Sequence, residues 1–262
     1  MHPNDSIIAD PIDAQIIDHR FSNGAAAFVI PWLGLRDPFP PPEDALEEPN
    51  GLLAAGADLS PARLLTAYAQ GIFPWFNDGE PVLWWSPDPR MVLFPSEMHA
   101  SKSLRRTLRG RSFRVTCDVA FPDVMRGCAA PRAAQDGSWI TAGMLRAYTD
   151  LARLGHAHSV EVWAGGDLAG GLYGVAIGRV FFGESMFSRK TDASKVAVAW
   201  LARQLARWQF ELVDCQMSTP HLASLGAREI PRAEFLRRLR QGTGRAKVPA
   251  PWTLDEDLMR DL

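Results

Sequence analysis

The run HSVEVWAGGDLAGGLYGVAIGRVFFGESMF, from His158 to Phe187, decides how this chain folds. It divides into three β-branched and aromatic stretches, at about 158–164, 167–177 and 179–187, the first two joined by Gly165-Gly166. A Gly-Gly pair supplies the positive φ values a tight hairpin needs, so a β-meander is the simplest arrangement.

Elements of other types surround this centre. Helical signals lie at about 99–109, 119–129 and 141–154. Beyond the meander, Asp192-Ala-Ser-Lys195 opens a stretch with Val196, Ala199, Trp200, Ala202 and Leu205 at helical spacing. A short strand follows at Phe210–Gln216, then helices near 219–225 and 231–241. Hairpins followed by helix, strand and helix predict an α/β or α+β sheet domain. Upstream, Ser60-Pro61 predicts a short capped helix through Leu64, Leu65 and Tyr68 to Gly71. From Ile72 to Pro95, five prolines and three of the nine tryptophans suit a rigid irregular platform. Residues 1–37 lack sustained periodicity and read as a loosely attached extension, ahead of a proline-rich connection at Phe39-Pro40-Pro41-Pro42.

Length and composition narrow the class. At 262 residues, 47% hydrophobic and 22% charged, the chain is globular, with one large domain or two small ones. Three cysteines, Cys117, Cys128 and Cys215, form no C-x-x-C pair and have no His at ligand spacing, so no metal site is expected. The N-terminus lacks a basic n-region and an apolar h-region, and Pro31 and Gly34 break the longest apolar stretch, which predicts a cytoplasmic protein without a membrane span. Phosphate-loop, dinucleotide, nucleophile-elbow and zinc-protease signatures are all missing.

The net charge of −2 conceals an asymmetry: residues 1–50 hold nine acids against two bases, whereas the remainder carries net +5. Positive charge concentrates in two runs. One holds Lys102, Arg105, Arg106, Arg109, Arg111 and Arg114; the other holds Arg228, Arg232, Arg237, Arg238, Arg240, Arg245 and Lys247. Such runs either hold phosphates or form solvated helix faces.

Candidate chemistry lies at two places. Strand alternation puts Asp214 and Gln216 on one face and Val213 and Cys215 on the other. Glu184, amid Phe181, Phe182, Met186 and Phe187, is a carboxylate that must be paired or poised for function. Both groups also admit a purely structural reading. Trp75 and Trp139, in loop-like contexts, are faces for base stacking or ordinary core.

The stretches Glu48-Pro-Asn-Gly-Leu-Leu-Ala-Ala-Gly56, Gly71-Ile-Phe-Pro-Trp-Phe76 and Leu83-Trp-Trp-Ser-Pro-Asp-Pro-Arg90 are distinctive in combination. So are Ala157-His-Ser-Val-Glu-Val-Trp163, Gly183-Glu-Ser-Met-Phe-Ser188, Asp192-Ala-Ser-Lys195, Asp214-Cys-Gln216 and His221-Leu-Ala-Ser-Leu-Gly-Ala227. In this order, over about residues 37–240, the chain resembles the bacterial leucyl/phenylalanyl-tRNA-protein transferases.

The resemblance implies an α+β protein: after an acidic extension (1–36), a small N-terminal domain (37–95) joins a C-terminal domain (96–262) similar to the acyl-CoA N-acetyltransferase, or GNAT-like, fold. It implies transfer of Leu or Phe, less readily Met, from Leu-tRNA or Phe-tRNA to the α-amine of proteins beginning with Lys or Arg. The product is marked for N-degron degradation, and neither cofactor nor metal takes part. A monomeric state is expected. Carried onto this chain, the polar site falls on Glu184, Asp214 and Gln216, and the adenosine-binding tryptophans on Trp75 and Trp139. The side-chain pocket falls on Leu172, Phe181, Met186 and Val213, with Leu172 where Met is familiar. The run with Lys102, Arg105, Arg106 and Arg109 is the candidate for acceptor-stem phosphates. The family mechanism gives Gln216 a base-like role. An amide is a weak base, so Gln216 is expected instead to orient the amine, with Asp214 holding it and favouring positive charge. Glu184 is expected to bind the cationic acceptor end or take the proton.

Two alternatives share some of these features. An acyl-CoA N-acyltransferase needs a glycine-rich turn at a helix start, yet Ser188-Arg-Lys-Thr-Asp-Ala-Ser-Lys195 contains no glycine. A non-catalytic tRNA-binding module would bind without turnover and has no use for an apolar pocket beside polar pairs.

Overall fold

A computed structural model describes residues 30–110, 112–130 and 140–260. The expectations for residues 1–29, for Arg111 and for Trp139 lie outside the described residues. The first elements are β1 (Trp32–Leu33), β2 (Leu52–Gly56), α1 (Pro61–Ala69), β3 (Phe73–Pro74) and β4 (Leu83–Trp85). The four strands form a sheet in the order β1-β2-β4-β3. Ser60 caps α1, its hydroxyl accepting from the Arg63 N–H, with Pro61 in the first turn.

The larger layer comprises β5 (Arg90–Leu93), α2 (Lys102–Arg109), β6 (Arg114–Cys117), α3 (Phe121–Ala129), α4 (Ala142–Arg153), β7 (Ala157–Ala164), β8 (Asp167–Ile177) and β9 (Val180–Ser188). It continues through α5 (Ala193–Arg207), β10 (Leu212–Gln216), α6 (Pro220–Ser224), β11 (Arg228–Ile230) and α7 (Arg232–Thr243). Its seven strands run β11-β5-β10-β9-β8-β7-β6, all neighbours antiparallel except β10 and β9. The predicted meander is β7-β8-β9, and Gly165 and Gly166 both have positive φ in its first turn.

Alternating side chains build an apolar core on each face of this sheet. On one face Val92, Tyr173, Val175 and Phe182 pack with α1, α3, α4, α7 and the small sheet. On the other, Met91, Leu93, Leu172 and Phe181 pack with α2, α5 and Trp252 of the C-terminal segment. No helix among the described residues is long and apolar enough to cross a membrane.

Two expectations need correction. Ile72–Pro95 is not irregular throughout, because its prolines fall mostly beside strands rather than within them: β3, β4 and β5 lie there, and β5 is an inner strand of the large sheet. Residues 30–36 also do not read as a loosely attached extension. Ile30 and Leu33 are buried, and β1 pairs in parallel with β2.

Candidate active site

The site lies where the sheet comes apart. The parallel pairing of β9 and β10 stops at Phe182–Asp214. Each strand then bulges: Glu184 has no partner on β8, between Gly183–Gly174 and Ser185–Tyr173, and β10 shifts register against β5 between Asp214 and Gln216. Gln216 is in the left-handed region, φ 63°. A backbone conformation costly for a residue with a side chain recurs at functional sites.

A cavity of about 1010 Å³ opens between the splayed strands. Its apolar part is lined by the predicted Leu172, Phe181, Met186 and Val213, together with Val198, Leu201 and Ala202 of α5. The helix residues escaped the sequence reading because ten of the fifteen α5 residues are buried, so its pattern marks no single inward face.

Glu184 and Gln216 stand at the polar part, grouped as the family resemblance implied, whereas Asp214, which strand alternation had put on the face of Gln216, does not line the cavity. Gln216 Nε2 donates to Glu184 Oε1 at 3.0 Å. Tyr68 donates to Oε1 at 2.7 Å and Tyr148 to Oε2 at 3.0 Å, and these two hydroxyls also touch each other. Tyr68, Tyr148 and Tyr173 are the chain's only tyrosines, and Tyr173 packs edge-on against Tyr148. Sequence reasoning missed them as site residues, because Tyr68 and Tyr148 lie 80 positions apart and no local pattern joins them. Burial pushes the Glu184 carboxyl up to about 7; the tyrosine donors oppose the rise, nearby Asp214 adds to it, and the Gln216 amide again opposes it. Burial and the carboxylate together hold both phenols well above their ordinary range. Glu184 therefore exchanges a proton near neutral pH.

Asp214 is fully buried and does not line the cavity. Arg90 grips it with both forks, Nε to Oδ1 at 2.8 Å and Nη2 to Oδ2 at 2.7 Å, while the guanidinium lies between the Phe73 and Phe235 rings. Asp214 Oδ1 also accepts the Gln216 backbone N–H at 2.9 Å, fixing the left-handed turn that points the Gln216 side chain at Glu184. Its charge is thus matched by Arg90 rather than offered to the cavity.

Trp75 lines the cavity mouth, 41% exposed and edge-on to Trp85, whose indole N–H donates to the Trp75 carbonyl. An indole held at its backbone with one face open is suited to stacking. On α2, Lys102, Arg105, Arg106 and Arg109 are exposed, whereas Leu104 and Leu108 anchor the helix to the core. Thr107 reaches Asp192 at the start of α5, two residues before Ser194 of the cavity lining. Much of the second basic run is engaged within the protein. Arg228 pairs with Glu97, Arg232 donates to the Ser86 carbonyl, and Arg238 bridges Glu234 and Glu211. No group of three or more His, Cys, Asp or Glu among the described residues is arranged to hold a metal ion.

An apolar cavity ending at a carboxylate that titrates near neutrality is the arrangement of a site that holds an apolar group next to a proton-exchanging residue. The comparisons define the class further. The model described as leucyl/phenylalanyl-tRNA protein transferase matches residues 92–240, and that of its N-terminal domain matches residues 57–88. The relative from Nitrosospira multiformis, named leucyl/phenylalanyl-tRNA--protein transferase, is 58% identical over 229 residues, 87% of this chain and 99% of that one. Its namesake from Nitrosomonas europaea is 65% identical over 204 residues, 78% of this chain and 86% of that one. The chain belongs to the leucyl/phenylalanyl-tRNA protein transferase family. Among solved structures, the C-terminal domain (DUF2156) of a putative lysylphosphatidylglycerol synthetase from Agrobacterium fabrum has a TM-score of 0.35 and 15% identity, covering 65% of this chain and 56% of that one, too distant to assign the fold.

Proposed function

We propose that this protein moves Leu or Phe, and less readily Met, from aminoacyl-tRNA to the α-amine of proteins beginning with Lys or Arg, marking them for N-degron degradation. The observation that carries this reading is the apolar cavity running up to Glu184 and Gln216. The donor's side chain fills the part lined by Leu172, Phe181, Met186 and Val213. Size selection there is worth only about 1–3 kcal/mol per methylene, so leakage to Met is expected. Trp75 stacks the terminal adenosine, with Trp139 as its counterpart by resemblance. The basic face of α2 takes acceptor-stem phosphates.

An aminoacyl ester is already activated, and an α-amine with a pKa near 8 is partly neutral at pH 7, so the site's task is placement and proton traffic. The Gln216 carbonyl accepts from the amine and orients it. The amine lone pair attacks the ester carbonyl, the C–N bond forms, and the C–O bond to the ribose breaks. The amine's proton passes to ionised Glu184 and from there to the leaving ribose oxygen. Asp214 positions Gln216 through its backbone N–H and does not touch substrate.

We read the large sheet as the acyl-CoA N-acetyltransferase type; support comes from its one parallel pair, which splays at the site. The division between a small N-terminal domain (37–95) and a transferase domain (96–262) is supported by the two family models, which match 57–88 and 92–240. The test is transfer of radiolabelled leucine from Leu-tRNA to a peptide with N-terminal Arg. Label on the free peptide and none on its N-acetylated form is expected. Acetyl-CoA turnover, or tRNA binding without transfer, would overturn the reading.

A further inference from the structure

The chain beyond residue 240, where the transferase family model ends, packs behind the cavity wall without lining it. Trp252 is 2% exposed and stacks flat on His158, with centroids 3.7 Å apart. Asp118 fixes both partners: its Oδ2 is 2.7 Å from His158 Nδ1 and accepts the Trp252 backbone N–H at 2.7 Å. Further on, buried Gln204 of α5 exchanges two hydrogen bonds with Asp255, and Arg203 donates to the Leu258 carbonyl. The segment is thus fastened to α5, which supplies one wall of the apolar cavity.

The indole also meets Phe181, a residue of the opposite wall, at a centroid separation of 6.0 Å. Phe181 has little freedom on another side, since a Cβ on Gly174 would lie 2.6 Å from its Cε1 and Cζ atoms. The Trp252 Nε1 is buried without a partner, so packing rather than hydrogen bonding accounts for the indole there.

We propose that Trp252 is a specificity-positioning residue: the docked C-terminal segment holds Phe181 forward and thereby sets the depth of the acyl pocket. This rests on the reading of the cavity as the aminoacyl side-chain site. Without the indole, Phe181 retreats and the pocket deepens, which favours Phe over Leu.

The test compares kcat/KM for Leu-tRNA and Phe-tRNA, with an N-terminal Arg peptide as acceptor, in the full chain and in Trp252→Ala and Trp252→Phe variants. The Phe-to-Leu ratio is expected to rise on the order of tenfold in Trp252→Ala. In Trp252→Phe, which retains a ring and folds more readily, it is expected to rise about two- to threefold. A purely structural role lowers both donors by one factor, so an active wild type with an unchanged ratio in Trp252→Phe would overturn this proposal alone. A wild type that transfers neither residue would overturn the reading of the cavity, and this proposal with it.

Discussion

Asp214 and Glu184 sit on neighbouring strands at the opening of the sheet, yet their surroundings differ in kind. Asp214 faces a buried guanidinium that grips both its oxygens. Glu184 faces two phenols and an amide, with no cation among its hydrogen-bond partners. A cation that grips both oxygens commits the first carboxylate to holding the structure together. Neutral donors only partly offset the cost of burial, which leaves the second with a proton that comes and goes near pH 7. One opening therefore holds two carboxylates set apart by their partners rather than by residue type.

Removing each carboxylate should separate these roles. The largest effect expected is on turnover: Glu184→Gln keeps the shape and loses the proton site, lowering the single-turnover transfer rate by about 10²–10⁴-fold. Stability should move the other way. Folded Glu184 titrates at about 7, above its ordinary value of 4.5, so the native state retains a proton the unfolded chain has lost, and stability falls as pH rises through that window. Urea unfolding at pH 8 should find Glu184→Gln more stable than wild type, by at most roughly 3 kcal/mol; a large loss of stability would place Glu184 with Asp214.

Asp214→Ala should do the reverse. It strands the Arg90 charge inside the protein, and denaturant unfolding should show a loss of about 3–5 kcal/mol. Unchanged stability would mean that the clamp is not structural. A smaller change is expected in Tyr148→Phe. Loss of a donor to the charged form raises the Glu184 pKa, moving the acid limb of the pH–rate profile up by about 1–2 pH units. A downward shift would contradict the donor's role. Smallest should be the surface effect: Lys102→Ala and Arg106→Ala each reduce the slope of log tRNA affinity against log salt by about 0.7–0.9, whereas Arg238→Ala, already paired inside the protein, leaves it unchanged.

Much of this was legible in the sequence, and the remainder was hidden for physical reasons. The meander announced itself through its turn glycines, whereas the alternation that put Asp214 with Gln216 fails at the register shift and left-handed turn of Gln216, which only the folded strand shows. Short strands such as Arg90–Leu93 and Arg228–Ile230 carry too few residues for a period, and prolines beside them resemble loop. The Arg90–Asp214 clamp spans 124 positions and the Tyr68–Tyr148 contact 80, separations that no local pattern encodes. The pocket face of α5 was concealed because the helix is buried almost all round.

The most direct test of Glu184 as the proton-handling group is the pH dependence of single-turnover transfer from Leu-tRNA to an Arg peptide, followed below pH 7 in wild type and Glu184→Gln. Wild type requires both a neutral amine and an ionised Glu184, so log rate should rise with a slope of about 2; the variant requires only the amine, and its slope should be about 1. Equal slopes in the two proteins would show that Glu184 takes no part in moving the proton.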